Sequence, residues 1–215
     1  MGRILLVCTG NICRSPMAEA FTRRELDQRG IAGISVESSG VSGWVDSPAT
    51  SEAADAVREY GLDLSPHRAR RLDRTMVQSA QLVVGLASEH RDAVIEQIPE
   101  AADRTFTLKE LVHLLEVAAL EPRDHDWDQT LRTSVGAAAS LRASDPGLRL
   151  LDEDVADPLG LGIETFRAVA WEIEDLSRRM VDGLFPNTAG ASTAQGEQLG
   201  SSRSGGSSNG EGGRG

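Results

Sequence analysis

The residues best suited to chemistry form a short loop near the start of the sequence. Cys8 is followed six positions later by Arg14, and glycine, asparagine and serine occur in the same run. A cysteine thiolate is a nucleophile, and the planar guanidinium of arginine can hold two oxygens of a phosphoryl group at once. The spacing therefore predicts a site at which Cys8 attacks phosphorus while Arg14 holds the phosphoryl oxygens.

This loop lies between an apolar run and a helical pattern. Residues 4–7 are branched and uncharged, as expected of a buried parallel strand, and Ser15 and Pro16 are predicted to supply the N-cap and first turn of a helix. At such a junction, backbone N–H groups and the helix dipole favour an oxyanion and also a thiolate. The predicted phosphate-binding residues are Thr9, Gly10, Asn11, Ile12, Cys13, Arg14 and Ser15.

A distant segment is predicted to supply the proton that the leaving oxygen needs. Asp157 precedes Pro158, which restricts its backbone to extended conformations, and Gly160 and Gly162 allow the following loop to move. The carboxyl of Asp157 can then act as a general acid over a bound phosphate ester, and afterwards activate water to hydrolyse a phosphocysteine.

Strand and helix patterns alternate along the chain. Strands are predicted at 4–7, 34–38, 81–87 and 105–108, and helices at 17–29, 49–60, from 88, at 110–119 and at 163–184. Alternation of this kind predicts an α/β, three-layer αβα fold with a central, mostly parallel four-stranded sheet and an N-terminal strand, phosphate loop and helix. Ligands of such sheets bind beyond the carboxyl ends of the strands, where Cys8 would lie.

Two segments depart from this plan. Residues from about 122 to 154 lack a strand signal and are interpreted as a helical insertion, with a helix at 128–141; the Asp124-His125-Asp126 triplet inside it is interpreted as a solvated loop rather than a metal site. Residues 187–215 offer almost no apolar side chain to bury and are predicted to be a disordered tail rich in glycine and serine. The predicted domain therefore spans residues 1–186.

Composition narrows the class of protein. The net charge of −11 disfavours nonspecific nucleic-acid binding, and no run approaches the roughly 20 apolar residues of a membrane span. The two cysteines are five positions apart on one loop, too few for the disulfide framework of a secreted protein. We therefore expect a cytoplasmic protein that binds neither nucleic acid nor membrane. Lys109 is the only lysine, a bias typical of a G+C-rich bacterial genome.

The run from residue 7 to residue 20, Val-Cys-Thr-Gly-Asn-Ile-Cys-Arg-Ser-Pro-Met-Ala-Glu-Ala, resembles the signature of the low-molecular-weight protein tyrosine phosphatases. The resemblance covers roughly residues 1–120 and 155–186. Its further matches follow in the family's order: Ser38-Ser39-Gly40, Trp44, His67-Arg68-Ala69-Arg70, Ser88-Glu89-His90-Arg91 and Asp157-Pro158. The resemblance implies a phosphatase that acts on phosphotyrosine in proteins without a metal or other cofactor.

The same resemblance implies a role for several residues. Cys8 would be the nucleophile, Arg14 the phosphate clamp, and Asp157 the general acid and base. Residues that match the hydrogen-bond network behind the phosphate loop are Asn11, Ser15, Ser39 and His67. Cys13 matches a neighbouring cysteine that can form a reversible disulfide with Cys8.

The sequence departs from the family at the predicted substrate pocket. Many members have aromatic residues after the Asp-Pro pair, whereas Leu159 follows it here, and Trp44 is a candidate to supply the missing aromatic wall. Two other functions remain open. A thiol-dependent arsenate reductase shares this loop but needs a relay of further cysteines, which this chain lacks. A redox-regulated phosphate-binding module would be expected to have lost a catalytic group, and none is missing.

Overall fold

The structure is a computed structural model that describes residues 1–121 and 126–186, so the predicted tail at 187–215 and the first two residues of the Asp124-His125-Asp126 triplet lie outside the described residues. Its four strands pair in parallel in the spatial order β2-β1-β3-β4. They are β1 (Gly2–Cys8), β2 (Ile34–Gly40), β3 (Leu82–Gly85) and β4 (Thr105–Thr107). The predicted α/β fold with a parallel four-stranded central sheet is confirmed.

Helices cover both faces of this sheet. Because successive side chains of a strand point to opposite faces, Ile4 and Leu6 join a large core while Leu5 and Val7 join a smaller one. The helices are α1 (Arg14–Gln28), α2 (Ser51–Arg58), α3 (Arg74–Ser79), α4 (Ser88–Gln97), α5 (Leu108–Ala118), α6 (Trp127–Ser144) and α7 (Ile163–Leu184). Among the described helices, none combines the length and apolar character needed to cross a membrane.

The start of α1 differs from its prediction. The helix begins at Arg14, its N-cap is Cys13, and the side chain of Cys13 makes no capping hydrogen bond. Ser15 lies inside the first turn, and its Oγ is 2.9 Å from Cys8 Sγ. The prediction of Ser15 as the N-cap was wrong because the helix begins two residues earlier and the serine hydroxyl turns back toward the sulfur.

The start of α4 also depends on a residue that local sequence does not reveal. The helix begins at Ser88, as predicted, but its N-cap position falls on Ala87, whose side chain cannot cap. Asp154 Oδ1 instead accepts a hydrogen bond from the backbone N–H of Ser88 over 2.6 Å. A carboxylate at a helix N-terminus satisfies a free donor and complements the helix dipole. The segment before Asp157 is thereby fixed to α4.

Helix α6 lies within the predicted insertion and overlaps the helix predicted at 128–141. Its Leu131, Val135 and Ala138 are buried in the larger core. Ser134 Oγ donates to the carbonyl of Leu184 over 2.7 Å, near the end of α7. The helix therefore packs as part of the layer formed by α5 and α7, and its C-terminal end leads into the segment that carries Asp157.

Candidate active site

The predicted phosphate loop connects the carboxyl end of a central strand to a helix. β1 ends at Cys8 and α1 begins at Arg14, and both side chains are buried. In the part of the chain that the structure describes, the backbone N–H groups of Gly10, Ile12 and Cys13 donate to no acceptor. Free amides next to a helix N-terminus form a binding site for an anion.

Two hydrogen-bond donors face the sulfur of Cys8. Ser15 Oγ is 2.9 Å from Cys8 Sγ, and the backbone N–H of Asn11 donates to the same sulfur over 3.3 Å. Cys8 is 3% exposed, so the sulfur is shielded except where the loop opens. Such donors stabilise a thiolate both as an attacking group and as a leaving group.

Asn11 holds the loop from within. Its backbone has a φ of 58°, a left-handed conformation that asparagine tolerates better than most residues, and its side chain is fully buried. The amide Nδ2 donates to Ser15 Oγ and Ser38 Oγ, each over 2.9 Å, and Oδ1 accepts from the backbone N–H of Arg70 over 2.8 Å. His67 Nε2 is 2.7 Å from the carbonyl oxygen of Asn11. Every polar group of the side chain is therefore satisfied.

Of the two adjacent serines on β2, Ser38 points its side chain into this network. Ser38 Oγ accepts from Asn11 and donates to Glu19 Oε2 over 2.5 Å. Ser39 takes part only through its backbone carbonyl oxygen, which lies 3.4 Å from Ser15 Oγ, and its own hydroxyl is buried without a partner among the described residues. The assignment of the Ser39 side chain is corrected to Ser38 because neighbouring side chains of a strand face opposite ways.

Arg14 and Asp157 are brought together by the fold although 143 positions separate them. Arg14 Nη2 is 2.6 Å from Asp157 Oδ2, and the Arg14 side chain is 5% exposed while that of Asp157 is 45% exposed. The guanidinium also donates to the carbonyl of Val155 over 3.2 Å and to Thr9 Oγ1 over 3.2 Å. The predicted clamp and the predicted acid are therefore in direct contact, and the carboxylate that Arg14 holds here is that of Asp157.

The segment before Asp157 is attached to the sheet and to α4. The backbone N–H of Val155 donates to the carbonyl of Leu86, just beyond β3, over 2.8 Å. Glu153 forms an ion pair with Arg91 over 2.6 Å, and both side chains are 13% exposed. Asp157 therefore stands at the end of a fixed stem, with an exposed tip that contains Leu159.

Trp44 and Leu159, the predicted walls of the substrate pocket, each contact one residue of the site through the backbone. The backbone N–H of Trp44 donates to the carbonyl of Gly10 over 3.0 Å, and a Cβ added at Gly10 would lie 3.7 Å from the Trp44 ring. Leu159 donates its backbone N–H to Asp157 Oδ1 over 3.0 Å. Trp44 is 51% exposed and Leu159 is 46% exposed, so both offer apolar surface to a ligand.

Cys13 differs from Cys8 in its surroundings. Its sulfur is buried and lies 3.6 Å from Thr50 Oγ1, and burial is the main cause that raises the pKa of its thiol to about 11. Cys13 is therefore a neutral thiol at neutral pH. Both cysteines are free thiols in this structure, and their reversible disulfide stays a prediction.

One functional contact was missed by sequence reasoning. His90 Nε2 is 2.9 Å from Thr9 Oγ1, and the histidine is 2% exposed. Burial, together with the nearby charge of Arg14, lowers the pKa of His90 to about 4, so its ring is neutral at neutral pH. The run from Ser88 to Arg91 was noted as a match to the family, but its residues were interpreted as a helix start.

The described residues show no grouping of three or more histidine, cysteine, aspartate or glutamate side chains that could hold a metal ion. The described member of the acidic triplet, Asp126, caps α6 by accepting from the backbone N–H of Gln129 over 3.1 Å. The chemistry available at this site is thus that of a thiol, a guanidinium, a carboxyl group and backbone amides.

The chain is similar to known proteins in both sequence and structure. The family model for low molecular weight phosphotyrosine protein phosphatases matches residues 3–132. The chain is 34% identical over 182 residues to a protein-arginine-phosphatase of Geobacillus stearothermophilus, which covers 85% of this chain and 95% of the relative. It is 40% identical over 103 residues to the low molecular weight protein-tyrosine-phosphatase Etp of Escherichia coli K12, covering 48% of this chain and 66% of the relative.

A solved structure bears on the nucleophile of this class of protein. It is a cysteine-to-serine mutant of the YwlE arginine phosphatase with a phosphorylated active site serine. The present structure is similar to it with a TM-score of 0.63 and 27% sequence identity, and the match covers 85% of this chain and 95% of that one.

Proposed function

We propose that this chain, which belongs to the low molecular weight phosphotyrosine protein phosphatase family, acts on proteins that carry phosphotyrosine. Membership of this family makes the protein a phosphatase. The observation that carries the residue assignments is the contact of Arg14 Nη2 with Asp157 Oδ2 at 2.6 Å, beside a sulfur faced by two donors. Nucleophile, clamp and acid then converge on one phosphoryl position.

The first step transfers the phosphoryl group to the enzyme. The thiolate of Cys8 attacks phosphorus in line, so that an S–P bond forms while the P–O bond to the tyrosine breaks. Phosphoryl oxygens replace the carboxylate of Asp157 on the guanidinium of Arg14, and the free loop amides bind the remaining negative charge. Asp157 in its acid form gives its proton to the leaving phenolate oxygen.

The second step regenerates the enzyme. Asp157, now a carboxylate, takes a proton from water while the water oxygen attacks phosphorus. The S–P bond breaks, inorganic phosphate is released, and the Cys8 thiolate is restored. Ser15 Oγ, at 2.9 Å from the sulfur, can donate to the departing thiolate.

The lining of the opening favours an aromatic leaving group. Trp44 lies next to Gly10 and Leu159 is bonded to Asp157, and both expose apolar surface against which a phenyl ring can pack. Aromatic contacts of this kind contribute about 0.5–1.5 kcal/mol beyond the burial of area. We therefore assign Trp44 and Leu159 as walls of the substrate pocket.

Phosphoarginine is the second candidate substrate. The relative called a protein-arginine-phosphatase is matched along 95% of its length, whereas the tyrosine phosphatase Etp is matched along 66% of its length. The chemistry of the loop suits either leaving group because Asp157 can protonate a departing nitrogen as well as an oxygen. Arsenate reduction is not favoured, since Cys8 and Cys13 are the only cysteines of the chain.

A substrate panel tests this proposal. We expect kcat/KM for a phosphotyrosine peptide to exceed that for a matched phosphoarginine peptide by about 10-fold or more, and Trp44→Ala to lower the phosphotyrosine value about 5-fold. Cys8→Ser should reduce turnover of both by about 10⁴-fold or more, because a serine hydroxyl is a weaker nucleophile and a poorer leaving group than a thiolate. A preference of similar size for phosphoarginine would make phosphoarginine the substrate. Normal turnover by Cys8→Ser would overturn the mechanism.

A further inference from the structure

A buried histidine with no part in the proposed proton transfers lies directly behind the phosphate loop. His90 is in the first turn of α4, and its Nε2 is 2.9 Å from Thr9 Oγ1. Glu89 Oε1 is 3.2 Å from the same nitrogen. The other ring nitrogen, Nδ1, is buried and has no hydrogen-bond partner within the described residues. Among the described residues, Nε2 is therefore the only ring nitrogen with polar partners, and it faces the loop.

These contacts select the tautomer of His90. A neutral imidazole donates from one nitrogen and accepts at the other. If Nδ1 carried the proton, a buried N–H would lack an acceptor and the lone pair of Nε2 would face the carboxylate of Glu89. Unpaired buried N–H groups are rarer than unused acceptors. Nε2 therefore carries the proton and donates it to Thr9 Oγ1.

Thr9 connects this histidine to the phosphate clamp. Thr9 Oγ1 also accepts from Arg14 Nη2 over 3.2 Å, and the same Nη2 donates to Asp157 Oδ2 over 2.6 Å. A guanidinium Nη carries two N–H groups in fixed directions. When Thr9 accepts one of them, the other is directed at the position that Asp157 occupies here and that a phosphoryl oxygen takes in the reaction.

We propose that His90 is a positioning residue that holds Thr9 Oγ1 in place to accept one N–H of Arg14, so that the other N–H is aimed at the phosphoryl group. Thr9 is exposed at the opening of the loop, and its hydroxyl makes no contacts other than those with His90 and Arg14 among the described residues. Without the donor from His90, the threonine side chain is free to change rotamer. The inference rests on the role proposed above for Arg14.

The charges around His90 fit this role. Its Nε2 faces Thr9 and the carboxylate of Glu89, and the guanidinium of Arg14 lies beyond the threonine hydroxyl. A second cation behind Arg14 would be repelled by it, so the neutral ring is the form that can donate from Nε2 without weakening the clamp. Asp154 and Asp157 are the other charged groups near the ring.

Matched substitutions of His90 and Thr9 distinguish a role in positioning Arg14 from a role in packing alone. His90→Gln keeps an amide N–H close to the position of Nε2, whereas His90→Asn places its polar atoms near Nδ1. At the other end of the contact, Thr9→Ser keeps the hydroxyl, while Thr9→Val has the same shape without it. We expect Thr9→Val and His90→Asn each to lower kcat for p-nitrophenyl phosphate about 5- to 10-fold with a smaller change in KM, since the grip of Arg14 tightens in the transition state.

The conservative variants supply the decisive contrast. His90→Gln should lose clearly less kcat than His90→Asn, and Thr9→Ser clearly less than Thr9→Val. The double variant Thr9→Val/His90→Asn should lose no more than either single variant, because both act through one oxygen. Normal kcat in Thr9→Val, equal losses in His90→Asn and His90→Gln, or additive losses in the double variant would each overturn the proposal. Thr9 is exposed, so Thr9→Val tests the contact without a change in the core.

A failure of this inference can be distinguished from a failure of the proposed function. If the inference alone is wrong, Thr9→Val turns over normally while Cys8→Ser remains inactive. If the phosphocysteine mechanism is wrong, Cys8→Ser itself retains turnover. Thermal unfolding of each variant, measured in parallel, shows that the compared proteins are folded at the assay temperature.

Discussion

The phosphate loop and the segment that carries Asp157 face the same phosphoryl position, but they are held in different ways. In the loop, Cys8, Asn11 and Arg14 are each at most 4% exposed, and Asn11 has a partner for every polar atom of its side chain. In the other segment, Asp157 is 45% exposed and Leu159 is 46% exposed, and only the stem before them is attached. The difference separates a preorganised anion site from a movable proton donor.

That division of labour has a physical reason. Electrostatic stabilisation of a transition state requires dipoles that are already in place, so the loop benefits from burial and full hydrogen bonding. A general acid must leave its contact with Arg14 when substrate arrives and then approach the leaving group. A rigid segment would keep Asp157 on the guanidinium and block the site. The exposed tip and fixed stem serve both requirements.

Of the changes that test this difference, the largest effect on kcat is expected from substitution of Asp157. Asp157→Asn should lower kcat by about 10² to 10³-fold, because the amide cannot protonate the leaving group. Competitive inhibition by inorganic phosphate should change by less than about 3-fold, since the phosphate loop is untouched. Steady-state kinetics with aryl phosphates of graded leaving-group pKa provides the measurement, and the loss should grow as the leaving group becomes poorer. An equal loss with all leaving groups would argue against protonation by Asp157.

A smaller effect is expected at the phosphate loop, where His90 should make the stability of the protein depend on pH. The pKa of His90 is about 4 in the folded protein, below its ordinary value of 6.5, mainly because the ring is buried and secondly because Arg14 is near; Asp157 and Asp154 act in the opposite direction. Between these values the unfolded chain binds a proton that the folded protein does not. Stability contributed by the neutral ring is therefore present above pH 6.5 and is lost as the pH falls toward 4.

Comparison with His90→Gln isolates this effect. The free energy of unfolding of the wild type should fall by up to about 3 kcal/mol more than that of His90→Gln between pH 6.5 and 4. Chemical denaturation at a series of pH values measures the difference. Parallel curves for the two proteins would show that His90 does not remain neutral in the folded state.

The smallest effect is expected at the stem of the acid segment. Arg91→Met removes the partner of Glu153 at 2.6 Å and should lower kcat about 3- to 10-fold by loosening the stem, with inhibition by phosphate unchanged. A matched control is Arg24→Met, which removes ion pairs of 2.8 Å to Glu25 and 2.7 Å to Glu174 away from the site. The control should lose stability but keep kcat. Equal kcat losses in both variants would show a general effect of stability rather than of Asp157 placement.

Several features could be predicted because neighbouring residues encode them. The run from Cys8 to Arg14 contains the proposed nucleophile, the proposed clamp and the turn between them, so its chemistry could be predicted before any contact was known. Strands β1 and β3 were recognisable from short apolar runs, β2 from its alternation, and the long closing helix from its period. The position of Asp157 before a proline was sufficient to suggest an acid, whereas its contact with Arg14 was found only in the structure.

Other features could not be predicted because their partners are distant in the sequence. The N-cap of α4 is completed by Asp154, which lies 66 positions from Ser88. The choice between Ser38 and Ser39 depends on which face of β2 meets Asn11. In each case a local pattern allowed two arrangements, and packing selected one.

The sequence by itself determined the chemistry of this protein: a thiol, a guanidinium and free amides on one strand-to-helix loop, with a carboxyl group on a separate flexible segment. Only the tertiary structure decided which side chains keep those groups in place. It brought Asp157 within 2.6 Å of Arg14 across 143 positions and placed the buried His90 against Thr9 across 81 positions. The reason is that reactive groups follow from residue type and short spacing, whereas their positioning depends on contacts between elements that meet only when the sheet and its helices pack together.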